Sequence, residues 1–200
     1  AMTGLKTIVL SMPIKQKPAQ HDLSLKHQEW LVKKFDNVEA HTVNLDKLFE
    51  TFENSLSKFD SDLGMANSRA RLRMTTLYQV AAANKGIVVG TGNKVEDFGV
   101  GFYTKYGDGG VDISPIADCN KTEVWDMGRE LNILKEIIDA TPTDGLWDDG
   151  RTDEGQLGLK YKELEEAMNN TSSTNREKYE KIRNMNLHKM KPIPVCKIPD

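Results

Sequence analysis

The chain has 200 residues, 27 basic and 30 acidic side chains, a formal charge of −3 and a hydrophobic content of 38%. That size and balance suit one globular domain with a buried core, so residues 1–200 are read as a single domain. Dispersed basic residues exclude a nucleic-acid surface, which needs a concentrated Lys/Arg patch. The sequence has no apolar run of membrane-span length and no signal-peptide layout at its start. Cys119 and Cys196 are the two cysteines and have no CxxC or metal-like spacing; they are read as reduced thiols of a soluble, cytoplasmic protein with no membrane partner.

Ala1-Met2-Thr3 followed by Gly4 reads as the end of a helix, with Gly4 as its C′ residue, so an element is expected upstream of the first strand, Thr7-Ile8-Val9-Leu10-Ser11. A polar loop then leads to a helix over 23–35 and a second strand, Glu39-Ala40-His41-Thr42-Val43. Leu45, Leu48, Phe49, Phe52, Leu56 and Phe59 recur at steps of three and four behind Asn44, which predicts an amphipathic helix with Asn44 as N-cap. Ala66, Ala70, Met74, Leu77 and Ala81 mark a further helix that stops near Gly86, where Gly86-Ile87-Val88-Val89-Gly90 predicts a third, buried strand. Alternating strands and helices imply a parallel sheet with right-handed crossovers.

Asn120 is placed to cap a helix over 121–131, followed by a short helix over 134–140. Residues 141–150 are rich in turn formers and carry Trp147, which suits a loop that closes over a ligand. Helices over 154–168 and 175–185 follow, separated by the polar turn 169–174, and the Pro-interrupted tail from Lys191 ends helical structure.

The most informative stretch is 90–112, because its polar groups emerge where a strand ends, the usual position of a nucleotide site in α/β folds. Lys105-Tyr106-Gly107-Asp108-Gly109-Gly110 joins a cation, a carboxylate and glycines that can bring backbone amides close to an anion; the same string also makes a tight turn. Asp108 and Asp112 are candidates for ribose hydroxyls or for capping turns. Glu96 is a candidate Mg²⁺ ligand or a solvated charge. Arg69 and Arg73 share one helical face and Arg71 points elsewhere, a pattern that on its own reads as an exposed surface. Lys121 opens a helix, where amides and the dipole favour phosphate and a lysine suits a ligand-facing role.

The strings Asn67-Ser68-Arg69-Ala70-Arg71-Leu72-Arg73-Met74, Val89-Gly90-Thr91, Phe102-Tyr103-Thr104-Lys105-Tyr106-Gly107-Asp108-Gly109-Gly110, Pro142-Thr143, Asp153-Glu154 with Leu157-Gly158 and Tyr161, and His188-Lys189, together with Glu96, run over nearly the whole chain. In this order they resemble the ammonia-dependent NAD synthetases, a family of the adenine-nucleotide α-hydrolase superfamily. The resemblance implies a three-layer, Rossmann-like α/β fold with a parallel sheet flanked by helices. It also implies ATP-dependent amidation of deamido-NAD by ammonia through an NAD-adenylate, with release of AMP and pyrophosphate. By motif position, Arg71, Lys105, Asp112, His188 and Lys189 correspond to deamido-NAD contacts. Thr91, Lys121 and Thr143 correspond to ATP contacts and Glu96 to a Mg²⁺ ligand. A homodimer is implied as well.

The family's Ser-Gly-Gly-x-Asp-Ser phosphate loop does not occur in residues 1–200. The first strand and that loop are therefore expected to lie outside this chain, leaving it a poor or inactive synthetase by itself. Other readings are a noncatalytic nucleotide-binding or dimerisation module, another superfamily member such as a GMP synthetase or tRNA-thiolating enzyme, and a glutamine-dependent synthetase, which requires a further glutaminase domain. The Lys-Tyr-Gly-Asp-Gly-Gly string, the missing CxxC and the dispersed basic charge favour NAD synthesis with free ammonia.

Overall fold

A computed structural model describes residues 1–147 and 149–198. Asp148, inside the segment read as a ligand-facing loop, lies outside the described residues. The elements in order are β1 (Thr7–Ser11), α1 (Pro18–Lys34), β2 (Val38–Thr42), α2 (Asp46–Ser55), a 3-10 turn (Ser57–Phe59) and α3 (Asp62–Ala83). A π-helical turn (Val95–Val100), α4 (Lys121–Glu130), α5 (Lys135–Ile138), α6 (Asp153–Leu157), α7 (Tyr161–Asn169) and α8 (Arg176–Met190) complete the described chain. None of the described helices is long and apolar enough to cross a membrane.

β1 and β2 pair in parallel, from Thr7 opposite Val38 to Ser11 opposite Thr42. α1 makes the crossover, beginning at Pro18, whose fixed φ suits a first helical turn. Gln28 of α1 spans the strand pair, donating from Nε2 to the Val9 and His41 carbonyls at 3.1 Å each. The Thr7 N–H bonds Asn37 O and the Ser11 carbonyl accepts from Val43, so the backbone groups of Thr7, Val9 and Ser11 face β2. Those of Ile8 and Leu10 alternate to the other edge, which carries no strand among the described residues.

The predicted third strand is corrected to a single parallel bridge between Val89 and Ile113, supported by Gly90 N–H to Ile113 O at 2.7 Å and Asp112 N–H to Val88 O at 3.0 Å. An apolar run becomes a strand only where backbone partners are present, and among the described residues this run has one on a single edge. Its side chains reflect that: Val88 is buried while Ile87 and Val89 are 60% and 53% exposed. α3 and its C-cap residue Asn84 contact residues that flank β1 and the 86–90 run. Asn84 accepts from Lys6 at 3.3 Å and Arg73 donates to Met12 O at 2.9 Å on the β1 side, while Tyr78 donates to Asp112 at 3.1 Å on the other.

The expected cap is corrected: Leu45 is the N-cap of α2, with no side-chain cap, and Asn44 accepts the Asp46 N–H at 2.9 Å from one residue further out; α2 ends at Ser55 and continues only as the 3-10 turn. Asn120 caps α4 as expected, its own N–H received by Glu123 at 2.6 Å. The helix expected over 154–168 is two helices. Gly158 ends α6 with φ +67° and an N–H bond to Glu154 O, a left-handed C-terminal geometry that glycine adopts without steric cost.

Two apolar clusters result. Ile14, Leu45 and Phe49 form one, beside β1 and α2, with Met65 and Leu72 of α3 packed against it. The other gathers Val95, Val100, Leu157, Tyr161, Leu164 and Tyr179 from the π-helical turn and α6 to α8.

Candidate functional site

Residues 86–90 lead into the run singled out above, and the π-helical turn projects Glu96 towards α4 and α7. Lys121 Nζ lies 3.0 Å from Glu96 Oε1, with both side chains mostly buried. Tyr161 Oη sits 2.7 Å from the same oxygen and 3.0 Å from Asp153 Oδ2. Lys121 also lies over the Tyr161 ring at 4.9 Å, and Trp125 meets that ring edge-on. The α4 N-terminus, expected from the sequence to favour phosphate, meets side chains of the protein itself. Glu165 takes the Thr122 N–H at 3.0 Å and its hydroxyl at 2.7 Å, so the protein's own carboxylates already occupy that end, and the Lys121 side chain turns to Glu96 instead.

Burial raises the Asp153 carboxyl to about 6, helped by Glu96 and Asp144 and opposed by Tyr161. The Tyr161 hydroxyl is raised for the same reason, with Glu96 and Asp153 adding to it. Burial, then Glu96 and Asp108, also lift Asp97 to about 6.

Beyond this cluster is a cavity of about 240 Å³ lined by Asp97, Phe98, Tyr103, Asp108 and Lys189, among others. Asp108 accepts the Thr104 N–H at 2.9 Å and is raised by burial, and Thr104 donates to Asn67 of α3 at 2.6 Å. Asp108 thus closes a turn and also faces the cavity. Gly107 is packed against α3: a Cβ there would meet Ala70 Cβ and Thr104 at 2.9 Å, so this glycine serves close packing. Lys189 donates to Gly101 O at 2.8 Å and Tyr103 O at 2.7 Å, and burial lowers its pKa while Asp108 opposes the shift.

The residues expected around deamido-NAD divide into two groups. Arg71 reaches the Lys105 carbonyl at 3.4 Å, and Lys105 Nζ donates to the His188 carbonyl at 2.9 Å, joining α3, the glycine-rich run and α8. Asp112 is instead fastened to the fold by Tyr78 and by the Val88 N–H at 2.7 Å. The His188 ring is exposed and contacts Met185 O of its own helix at 3.2 Å.

A second cavity, of about 310 Å³, opens at the carboxyl end of β1 between Leu10, Met12, Gln20, His21, Arg73 and Asp144. Sequence reasoning missed it. The available signal was the carboxyl end of the first parallel strand; nothing in sequence spacing paired Arg73 with Asp144. The reading of Arg69 and Arg73 as an exposed face is also corrected. Arg69 is 6% exposed, donates to Leu146 O at 2.9 Å and stacks its guanidinium over Phe49. Arg73 bonds Met12 O and, at 3.1 Å, Gln16 Oε1; burial and Arg69 push it down to about 10, still a cation at neutral pH. Both are covered because Leu146 and the residues after β1 lie on that face of α3.

In that segment Thr143 donates to Arg151 O at 3.0 Å and accepts from Gly145, while Asp144 accepts from Trp147 and Gln156. Thr91 is exposed just after the 86–90 run.

The arrangement defines an α/β protein with parallel strand pairing, in which cations and raised carboxyls gather beyond the carboxyl ends of the strands. The NAD synthase family model matches residues 1–198, and the chain belongs to that family. It is 44% identical over 133 residues to the NH(3)-dependent NAD(+) synthetase of Carboxydothermus hydrogenoformans, covering 64% of this chain and 54% of that protein. To the protein of the same name from Finegoldia magna it is 33% identical over 189 residues, covering 94% and 76%. Against several curated relatives, the matched part spans about half of their length. A solved structure described as NMN synthetase from Francisella tularensis superposes with a TM-score of 0.89 at 32% identity, covering 98% of this chain and 81% of that one.

Proposed function

We propose that this chain serves ATP-dependent amidation of deamido-NAD to NAD, with ammonia as nitrogen donor. The observation that carries the reading is the meeting of Glu96 and Lys121 at 3.0 Å, since these are the positions at which the resemblance places a metal ligand and an ATP contact. In the reaction, a carboxylate oxygen of deamido-NAD attacks the α-phosphorus of ATP and pyrophosphate leaves. Ammonia then adds to the activated carbonyl, a proton departs from nitrogen, and AMP leaves with the C–O electron pair. Such chemistry depends on orientation and on neutralising phosphate charge.

Lys121, Thr91 and Thr143 are assigned to ATP. Arg71, Lys105, Asp112, His188 and Lys189 are assigned to deamido-NAD, with Asp112 acting through the position of Val88. Glu96 supplies one carboxylate to Mg²⁺. It offers a carboxylate with Oε1 engaged and Oε2 lightly held by the Asn93 N–H at 3.4 Å, and the described residues contain no cluster that makes a full metal cage. Mg²⁺ keeps waters and completes its shell with substrate phosphates, so one protein carboxylate suffices to hold it. When bound, Mg²⁺ would neutralise phosphate charge. A homodimer in the cytoplasm completes the proposal.

A second reading replaces the dinucleotide with a nicotinate mononucleotide, favoured by the 0.89 TM-score to the NMN synthetase over nearly all of this chain. One experiment separates the two. The purified chain is given Mg-ATP, ammonium and either deamido-NAD or nicotinate mononucleotide, with amide product and AMP quantified and substrate binding measured by calorimetry. Stoichiometric NAD and AMP support the main reading, and amide formed only from the mononucleotide supports the second. Binding without turnover marks a nucleotide-binding module, and an absence of binding to either substrate contradicts both enzymatic readings.

A further inference from the structure

Tyr161 is 1% exposed, yet its hydroxyl oxygen touches two carboxylates, Glu96 at 2.7 Å and Asp153 at 3.0 Å. A phenol has one hydrogen, so it satisfies one ionised carboxylate at a time. The two acids differ in their alternatives. Glu96 Oε1 also receives Lys121, whereas Asp153 is 6% exposed and its Oδ1 has no hydrogen-bond partner among the described residues.

Asp153 is also a structural joint. Its N–H donates to Pro142 O at 3.0 Å, and Thr143 donates to Arg151 O at 3.0 Å, so the two ends of the 142–153 segment are clasped beside it. The Tyr161 ring is held by Trp125, so the free motion left to its hydroxyl is rotation of the O–H bond between the two acceptors.

We propose that Tyr161 is a positioning residue that couples Glu96 to this loop: its hydrogen goes to Glu96 while Lys121 alone pairs with that carboxylate and turns to Asp153 once a divalent cation engages Glu96, fastening the clasp. The inference rests on the reading of Glu96 as a cation ligand given above. It gives the loop a means of responding to metal-bound nucleotide in particular, because nucleotide alone leaves Glu96 holding the hydroxyl.

The test is hydrogen exchange of the 149–153 amides in the full chain, with a parallel calorimetric titration. Mg-ATP should slow exchange in the wild-type loop by about tenfold, and ATP with chelator should not. Tyr161→Phe at saturating Mg-ATP should keep the unliganded rate. Tyr179→Phe, which removes another buried hydroxyl, 3.3 Å from Gly99 O, should respond like wild type. If Tyr161→Phe does not fold, Asp153→Ala carries the test; at saturating Mg-ATP it should lose the loop response. Full protection in Tyr161→Phe or Asp153→Ala, or protection of wild type by ATP without a divalent cation, overturns the coupling. No uptake of Mg-ATP by wild type overturns the reading of Glu96 itself, and the titration shows this before any variants are compared.

Discussion

The surroundings of Tyr161 and those of β1 make different use of apolar residues. Around Tyr161, Val95, Val100, Leu157 and Leu164 from the π-helical turn, α6 and α7 enclose the ring, and Glu96, Lys121 and Asp153 are placed against that rigid wall. Around β1 the enclosed cluster is Ile14, Leu45 and Phe49, while Ile87, Val89 and Ile113 remain substantially exposed. Charge can be held in fixed geometry only where its supports are packed. The difference places the most constrained chemistry on the helical side and leaves open backbone edges on the strand side.

The largest effects should come from breaking either cluster. Phe49→Ala should cost about 3–5 kcal/mol and Leu164→Ala about 2–5 kcal/mol in urea denaturation, since both side chains are fully enclosed. If the two regions differ as described, Leu164→Ala also weakens Mg-ATP binding at a fixed folded fraction. Phe49→Ala instead loosens the 141–152 segment through Arg69, which stacks on Phe49 and holds Leu146 O.

Next in size is Lys121→Ala. It leaves Glu96 mostly buried without its cation, and calorimetry should find Mg-ATP binding reduced by about 10–100-fold. Unchanged binding would detach this pair from the nucleotide.

A smaller effect concerns Asp153. Its folded pKa is about 6 against an ordinary 3.8, so burying the ionised form costs stability at pH values above about 6, and that cost vanishes as protonation is completed below about 4. Asp153→Asn never ionises. Its stability relative to wild type should therefore grow by about 1–3 kcal/mol between pH 4 and pH 7.5, read as the change in urea-midpoint difference. A gap that stays constant would contradict the burial argument. The smallest effect is Lys33→Ala. The lysine is exposed and 3.8 Å from Glu29, so its loss should change stability by less than about 0.5 kcal/mol.

Much of the fold was legible because it is local. The steps of Leu45, Leu48, Phe49 and Phe52 gave α2, and Asn120 marked the start of α4. The 86–90 run was misread because a strand is a property of its neighbours, and among the described residues Val89 finds only Ile113. The break at Gly158 was hidden by amphipathic spacing on both sides of it. In the site, motif position brought out Glu96, Lys121, Lys105 and His188, and the structure brings together Glu96 with Lys121 and Lys105 with His188. The burial of Arg69 and the double contact of Tyr161 depend on pairings between distant segments, such as Tyr161 with Glu96 and Arg69 with Leu146, for which sequence spacing has no signal.

The central claim is that the charged groups beyond the strand ends form one substrate site. Its most direct test is the hydrogen-exchange footprint of the chain with Mg-ATP and deamido-NAD together. Exchange should slow in 91–97, 104–112, 121–124 and 141–152, with little change in α1 and α2. Protection confined to α1 and α2, or none at saturating concentrations of both substrates, would contradict it.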